Sequence, residues 1–206
     1  MICLGMNFRE HAVESSRFKK EQFDQERPYA VYFSKRVNEA TPDGGTIPSY
    51  PGLVDSLDYE AELGVIIGRD CKNVSEAEAA QYIFGYTVVN DVSARNLQTA
   101  HNQWYFGKSL DGFTPMGPCI LTADEVAFPP ALAISSTVNG EKRQSSNTDH
   151  LIHSVAEIIA ELTRGITLRA GTIIATGTPA GVGPVSPGDN LRAVLEGREL
   201  LNFDIR

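Results

Sequence analysis

The clearest pattern in the sequence is an alternation over residues 58–67. In an extended segment, one face would carry the odd-numbered residues from Tyr59 to Ile67, and the other face the even-numbered residues from Asp58 to Ile66. Because successive side chains of a strand point to opposite sides, this period of two predicts a β-strand. Shorter apolar segments predict further strands at residues 1–8, 29–35, 86–90, 166–169, 172–176, 190–195 and 199–205.

Turn-forming residues separate these segments. Asn139-Gly140 lies in the middle of residues 131–145, and Asn-Gly is the dipeptide most typical of a two-residue hairpin turn. Proline and glycine are frequent over residues 41–56, which predicts a further region of turns. We therefore expect many strands joined by short connections.

Two segments carry helix signals. Ser75 and Glu78 have the spacing of a capping box, which predicts a helix running to about Phe84. Apolar residues recur at helical spacing over residues 150–164, and Gly165 follows as a stop. Many strands and two to three helices, without a regular βαβ alternation, predict an α+β fold on a mostly antiparallel sheet system.

Length and composition restrict the class of protein. The 206 residues suit a single domain, 1–206, and the net charge of −8 offers no basic surface for nucleic acid or anionic lipid. The longest uncharged apolar stretch, Val126–Ile134, is far shorter than the roughly 20 residues of a membrane span. The N-terminus does not resemble a signal peptide, and the three cysteines form no CxxC pair. We expect a cytoplasmic protein without a nucleic-acid or membrane partner.

Acidic residues form the first candidate site. Glu60 and Glu62 would leave the same face of the predicted strand, where unit charges 4 Å apart repel by about 4 kcal/mol at an effective dielectric near 20. Either this face is open to water, or a cation lies between the carboxylates. Asp91 follows the apolar strand 86–90 and would complete an oxygen site for Mg²⁺, Mn²⁺ or Ca²⁺. Alternatively, Asp91 caps a helix or a turn.

Histidines offer candidate acid–base groups. His11 and Glu14 share a face if residues 9–26 are helical, and a carboxylate beside an imidazole orients it as a general base. The alternative is a solvated surface helix or a mobile loop. His101, His150 and His153 are expected at helix ends or on the surface.

Lys108 and a glycine-rich segment complete the candidates. Lys108 follows Trp104, Tyr105 and Phe106, so we expect partial desolvation with a lowered pKa, or simple packing over the rings. Residues 176–183 do not match a P-loop; they present backbone N–H groups to an anion or form a tight turn.

Five segments taken together resemble the fumarylacetoacetate hydrolase family. They are LGMNFREHA, LDYEAELGVIIG, GYTVVNDVSARNLQ, GKSLDGFTPMGP and GTIIATGTPAGVG, in the family's order and covering the chain from about residue 3 to its end. The resemblance is closest to small members that act on acylpyruvates, oxaloacetate or hydroxymuconate-type diacids. It implies the mixed β-sandwich roll of the family's C-terminal domain and a homodimer.

The resemblance also implies roles for individual residues. Glu60, Glu62 and Asp91 match the family's ligands for Mg²⁺ or Mn²⁺, and Lys108 matches the lysine that contacts substrate near the metal. A mobile lid, residues 9–27, would carry His11 and Glu14, which match the pair that activates water. The matches to the substrate pocket are Arg95, Gln98 and Thr178.

These matches predict an enzyme with a small oxo-acid substrate. The first hypothesis is divalent-metal-dependent hydrolysis of a C–C bond in a 2,4-dioxo acid through a metal-stabilised enolate. The second is a decarboxylase or keto–enol isomerase acting on oxaloacetate or hydroxymuconate-type diacids. The third is a non-catalytic binding module stabilised by a metal.

Overall fold

The computed structural model describes residues 1–19 and 28–206. Its strands, in chain order, are β1 (Ile2–Gly5), β2 (Val31–Ser34), β3 (Gly45–Ile47), β4 (Leu57–Asp58), β5 (Ala61–Ile67), β6 (Ile83–Asn90), β7 (Ser93–Ala94), β8 (Leu121–Thr122), β9 (Ala133–Val138), β10 (Glu141–Asn147), β11 (Ile173–Ala175), β12 (Pro184–Val185), β13 (Asn190–Leu195) and β14 (Arg198–Ile205). The α-helices are α1 (Arg9–Lys19), α2 (Arg95–Ala100), α3 (Trp104–Lys108) and α4 (Val155–Gly165), and short 3-10 helices span Glu76–Tyr82 and Thr148–His150.

The described strands form three sheets. The central sheet has the order β2-β1-β11-β5-β6-β8, the outer sheet has the order β10-β9-β13-β14-β3, and a small sheet joins β12, β4 and β7. Most neighbouring strands are antiparallel, whereas β1 with β11 and β14 with β3 are parallel. The expected α+β fold with mixed, mostly antiparallel sheets is confirmed.

The main core lies where the outer sheet packs on the central sheet. Here β9 contacts β5 and β13 contacts β6. Leu63 and Tyr86 of the central sheet and Ile134 and Phe203 of the outer sheet are fully buried. Burying each such side chain contributes roughly 1.5–3 kcal/mol, so this interface gives the site a rigid support.

The strand predicted over residues 58–67 is present as β5 from Ala61 onward, whereas Asp58 belongs to the separate strand β4 of the small sheet. Both faces of β5 are buried. Leu63 and Val65 lie in the core as expected. On the other face, Glu62 is only 1% exposed, and the neighbouring Glu60 is 6% exposed. The alternative of a solvent-facing carboxylate pair is therefore wrong.

The capping box at Ser75 and Glu78 is present, but the helix that follows is a 3-10 helix that ends at Tyr82. The predicted extension to Phe84 is wrong because β6 already pairs with β5 from Ile83. Gly85, in β6, lets two strands approach closely, since a Cβ there would lie 2.4 Å from the carbonyl oxygen of Leu121.

The second helix begins later than predicted. Ser154 caps α4, and its side chain accepts a hydrogen bond from the N–H of Glu157. Residues 166–169 do not form the predicted strand; Leu168 makes a single bridge to Cys71. The hairpin at Asn139-Gly140 is confirmed, with φ of 52° and 81°.

The predicted lid is described in part. Residues 9–19 form α1, whereas residues 20–27 lie outside the described residues. Across residues 1–19 and 28–206, no helix combines the length and hydropathy needed to cross a bilayer.

The cap of α4 gives a test of the fold. We expect Ser154→Ala to lower the free energy of unfolding by about 1 kcal/mol, because it leaves a helix N–H without its acceptor. Urea denaturation measures the change, and Ser145→Ala on the exposed part of β10 is the control, with a change below about 0.5 kcal/mol. Equal effects of both substitutions would contradict the role of the cap.

Candidate active site

Three buried carboxylates converge at one end of the β5–β6 pair. The N–H of Asp91 donates to the carbonyl oxygen of Glu60 at 2.8 Å, and the N–H of Glu60 donates to Asn90 Oδ1 at 3.0 Å. These bonds hold Glu60 opposite Asp91, and Glu62 lies two residues further along β5. One oxygen atom from each of the three carboxylates lies within 4.8 Å of the others. The sequence-based grouping is therefore confirmed.

Two buried lysines contact this cluster. Lys108 Nζ lies 2.8 Å from Glu60 Oε2 and also bonds Asp91 Oδ2. Lys35 Nζ lies 2.6 Å from Asp91 Oδ1 and donates to the carbonyl oxygen of Phe113. Asp91 is thus an ion-pairing residue, and the alternative that it caps a helix or turn is wrong. Sequence analysis missed Lys35, although its place at the end of an apolar strand was a signal.

The ion pairs shift the pKa values of Glu60 and Lys108 in the directions that favour their charged forms. Burial alone would raise the pKa of Glu60, but Lys108 and then Arg95 hold it well below its usual range. Burial alone would lower the pKa of Lys108, but Asp91 and Glu60 raise it above its usual value. The expected lowered pKa of Lys108 is therefore wrong, since its carboxylate partners outweigh desolvation. The Phe33 ring does lie near its ammonium group, at 5.0 Å from the centroid.

Glu62 differs from the other two carboxylates. Burial, Asp91 and Glu60 raise its pKa well above the usual value. Among the described residues, lysine and arginine side chains form ion pairs with Glu60 and Asp91. Glu62 instead accepts a hydrogen bond from the N–H of Gly177 at 2.8 Å. Because a buried carboxylate is repelled by two neighbouring carboxylates, binding of a cation beside it would stabilise its charged form. Three convergent oxygen donors therefore fit a hard divalent cation.

The glycine-rich segment, residues 176–183, forms a loop over β5 that we call the site loop. Thr178 Oγ1 donates to the carbonyl oxygen of Ala61 at 2.9 Å. Gly177 has φ of +97°, and a Cβ there would lie 3.0 Å from the Cβ of Asn7. The loop is therefore fixed against β5 and requires glycine at this position.

The site loop also holds the pair on α1. His11 Nδ1 lies 3.4 Å from Glu14 Oε2, as their spacing predicted. The N–H of Gly181 donates to both oxygens of the Glu14 carboxylate, at 3.2 and 3.4 Å. Glu14 is thereby held in place beside the imidazole.

A cavity of about 720 Å³ joins these groups. Its lining includes most of the residues singled out from the sequence: His11, Glu14, Glu60, Arg95, Gln98, Lys108 and Thr178. Glu62 and Asp91 are not part of the lining. Glu62 contacts Gly177, and Asp91 contacts both lysines. The lining also includes apolar residues: Leu4, Met6, Trp104, Val182 and Pro184.

Each guanidinium nitrogen of Arg95 bonds an acidic or polar partner. Its guanidinium bonds Asp58 Oδ2 at 2.7 Å and Glu60 Oε1 at 2.6 Å, and its third nitrogen bonds Gln98 Oε1 at 2.9 Å. Asp58, which sequence analysis did not single out as a site residue, thus belongs to the cavity wall. Arg95 acts here as a clamp on Glu60.

The remaining histidines lie away from this cavity lining. His101 follows the end of α2 and is exposed, and His150 is exposed and pairs with Glu10 at 2.6 Å. His153 is partly buried next to the cap of α4. The expected positions at helix ends or on the surface are confirmed for His101 and His150.

Comparisons with known proteins agree with this geometry. The family model described as fumarylacetoacetate (FAA) hydrolase C-terminal matches residues 1–205. Oxaloacetate tautomerase YisK of Bacillus subtilis is 43% identical over 183 residues, which cover 89% of this chain. Fumarylpyruvate hydrolase from Pseudomonas aeruginosa, solved in complex with Mn²⁺ and pyruvate, superposes with a TM-score of 0.86 at 33% identity, covering 99% of this chain and 88% of its own.

A third similar protein is the fumarylacetoacetate hydrolase of Exiguobacterium antarcticum. It has a TM-score of 0.86 and 38% identity, and the match covers all of this chain and 74% of that chain. The chain spans 59% of the length of the tautomerase, which is less than two thirds of that relative.

The buried carboxylate Glu62 gives a test that does not depend on turnover. We expect saturating Mn²⁺ at about 100 times its Kd to stabilise the protein by about 2.7 kcal/mol, or roughly 5–10 °C in Tm. Glu62→Gln should lose most of this shift, whereas its Tm in EDTA should equal or exceed that of the parent, because a neutral isostere removes buried repulsion.

Differential scanning fluorimetry in EDTA and in Mn²⁺ measures both effects. Glu39→Gln, at an exposed position, is the matched control and should keep the full shift. A complete Mn²⁺ shift in Glu62→Gln would show that Glu62 does not hold the ion, and a large loss of Tm in EDTA would show that the Glu62 carboxylate does not destabilise the cation-free protein.

Proposed function

Because this chain belongs to the fumarylacetoacetate hydrolase family, we propose that it is a divalent-metal-dependent enzyme that hydrolyses a C–C bond in a 2,4-dioxo acid. The observation that carries this proposal is the shared cavity. Its lining includes the His11–Glu14 pair together with Glu60 and Lys108, which belong to or contact the carboxylate cluster. A base and a cation-binding cluster that face one space are what such a reaction requires.

Glu60, Glu62 and Asp91 would hold the cation. Their all-oxygen donor set suits Mg²⁺ or Mn²⁺, and the similar fumarylpyruvate hydrolase was solved with Mn²⁺ and pyruvate. When bound, the cation supplies Lewis acidity toward the oxygens of the 2-oxo acid. Arg95 keeps Glu60 in a single orientation through its bond at 2.6 Å.

Lys108 would stabilise the charge that develops on the substrate. Its raised pKa keeps Nζ protonated, and its bonds to Glu60 and Asp91 fix the position of the ammonium group. A preorganised positive charge in a buried site stabilises an enolate oxygen more than water does. Lys108 therefore acts as an electrostatic group and not as a base.

His11 would transfer the proton. Because its Nδ1 faces Glu14, Nε2 is the nitrogen that takes a proton from water in the cavity. The hydroxide adds to the acyl carbonyl carbon, the bond between this carbon and C3 breaks, and C3 receives a proton. The products are a carboxylic acid and pyruvate or its substituted form.

A second candidate is keto–enol tautomerisation of an oxaloacetate-type acid. The similarity to an oxaloacetate tautomerase at 43% identity favours it. In this reaction the same His11 moves a proton between C3 and the enol oxygen, and no water adds. The two candidates share the cation and Lys108 and differ in whether a C–C bond breaks.

One assay panel separates these reactions. Acylpyruvates and oxaloacetate are incubated with Mg²⁺, Mn²⁺ or EDTA; lactate dehydrogenase detects released pyruvate, and enol absorbance follows tautomerisation. We expect pyruvate release from acylpyruvates in Mn²⁺ and its loss in EDTA. His11→Ala should lower kcat/KM by about 10²- to 10⁴-fold, because it removes the general base.

His101→Gln, at an exposed histidine outside the cavity lining, is the control and should change kcat/KM less than twofold. Tautomerisation without pyruvate release would establish the second candidate. Mn²⁺ binding without either reaction would establish a non-catalytic binding module, and full activity in EDTA after dialysis would reject the metal mechanism.

A further inference from the structure

The side chain of Gln144 is buried beneath the site although it comes from the outer sheet. Gln144 is 0% exposed, whereas its neighbours Arg143 and Ser145 on β10 are exposed. The pairing of β10 with β9 is irregular between Lys142 and Gln144, and such a bulge re-aims a side chain. A buried primary amide is costly unless its two donors and its acceptor oxygen are bonded.

Both donors and the acceptor oxygen of the Gln144 amide are hydrogen-bonded. Its Oε1 accepts from the N–H of Ala61 at 3.1 Å and from the hydroxyl of Ser136 at 2.9 Å. Its Nε2 donates to Thr178 Oγ1 at 2.7 Å and to the carbonyl oxygen of Pro179 at 2.9 Å. Because the Ala61 N–H only donates and the Pro179 carbonyl only accepts, the orientation of the amide is unambiguous.

These bonds close a ring around Ala61, the residue between the two glutamates. Gln144 holds the N–H of Ala61, Thr178 holds its carbonyl oxygen at 2.9 Å, and Gln144 bonds Thr178. Both polar groups of this backbone residue are thereby fixed. The ring sets the relative position of Glu60 and Glu62, since only Ala61 separates them.

The same amide reaches the other half of the site. Pro179 lies two residues before Gly181, whose N–H holds Glu14. Gly181 packs directly on β10, where an added Cβ would lie 2.0 Å from the carbonyl oxygen of Arg143. Tyr59 donates to the carbonyl oxygen of Gly181 at 2.6 Å and fixes this end of the site loop.

We propose that Gln144 is a positioning residue that sets the carboxylate cluster and the His11–Glu14 pair relative to each other. The kinetic consequence of this inference rests on the proposed function. The expected effect of Gln144 on cation binding can be measured without any enzymatic turnover. Gln144 acts through Ala61 and Thr178 and does not itself reach the reacting atoms. It transmits the rigidity of the outer sheet to the site loop and to the start of β5.

A double-mutant cycle tests the proposal. Gln144→Leu removes all four hydrogen bonds at similar volume, and Thr178→Val removes the hydroxyl of the ring. Each should weaken Mn²⁺ binding about 10- to 100-fold, measured by electron paramagnetic resonance titration, as loss of supporting contacts around a metal site does. The double variant should bind Mn²⁺ no more weakly than Gln144→Leu alone, because both belong to one ring.

Thr163→Val is the matched structural control. Thr163 is a fully buried hydroxyl on α4 that bonds the N–H of Val74, outside the cavity lining. It should lower Tm with less than a twofold change in Mn²⁺ affinity. For Gln144→Leu we also expect kcat to fall more than KM rises, since the pair on α1 loses its alignment while the binding groups remain.

The outcomes are separable. If Gln144→Leu lowers Tm as Thr163→Val does but leaves the Kd for Mn²⁺ and kcat within twofold, the residue is merely structural and the proposal is wrong. If Gln144→Leu does not fold, Gln144→Asn takes its place, with an expected loss of Mn²⁺ affinity of at least fivefold and a loss below twofold as the contradicting result. If the parent binds Mn²⁺ without turnover, the proposed function fails while the affinity data still decide the role of Gln144.

Discussion

The burial of three carboxylates in one place is the constraint on which the rest of the site depends. Glu60, Glu62 and Asp91 repel one another away from water, and the protein offsets two of them with Lys35, Lys108 and Arg95. Glu62 is left with a backbone N–H and a raised pKa. Buried charge of this kind is costly unless a partner neutralises it, and a divalent cation is the partner that the oxygen donors suit.

The fold supplies the rigidity that this arrangement needs. Strand pairing between β5 and β6 brings the acids together, and the N–H of Gly177 in the site loop bonds Glu62. The outer sheet then supports both through one buried amide, that of Gln144. The helix α1 is joined to the same loop through Glu14, so the acid–base pair and the cluster share a single support.

Sequence alone predicted the parts that depend on local pattern. The alternation over residues 58–67 located β5, and the spacing of His11 and Glu14 placed them on one helix face. Lys35 and Gln144 were missed because their roles follow from side-chain hydrogen bonds to residues 56 and 83 positions away in the chain, on elements with which their own strands do not pair. The predicted direction of the Lys108 pKa shift was wrong for the same reason. The sequence shows the neighbouring aromatic rings that suggest desolvation, but it does not show that the carboxylates of Asp91 and Glu60 contact the ammonium group.

The central claim is that these three acids hold one divalent cation. Its most direct test is anomalous diffraction from crystals of the protein soaked in Mn²⁺. We expect a single strong peak with one oxygen each of Glu60, Glu62 and Asp91 among its ligands. Diffraction that shows no peak at these oxygens, with the carboxylates still paired only to lysine and arginine, would contradict it.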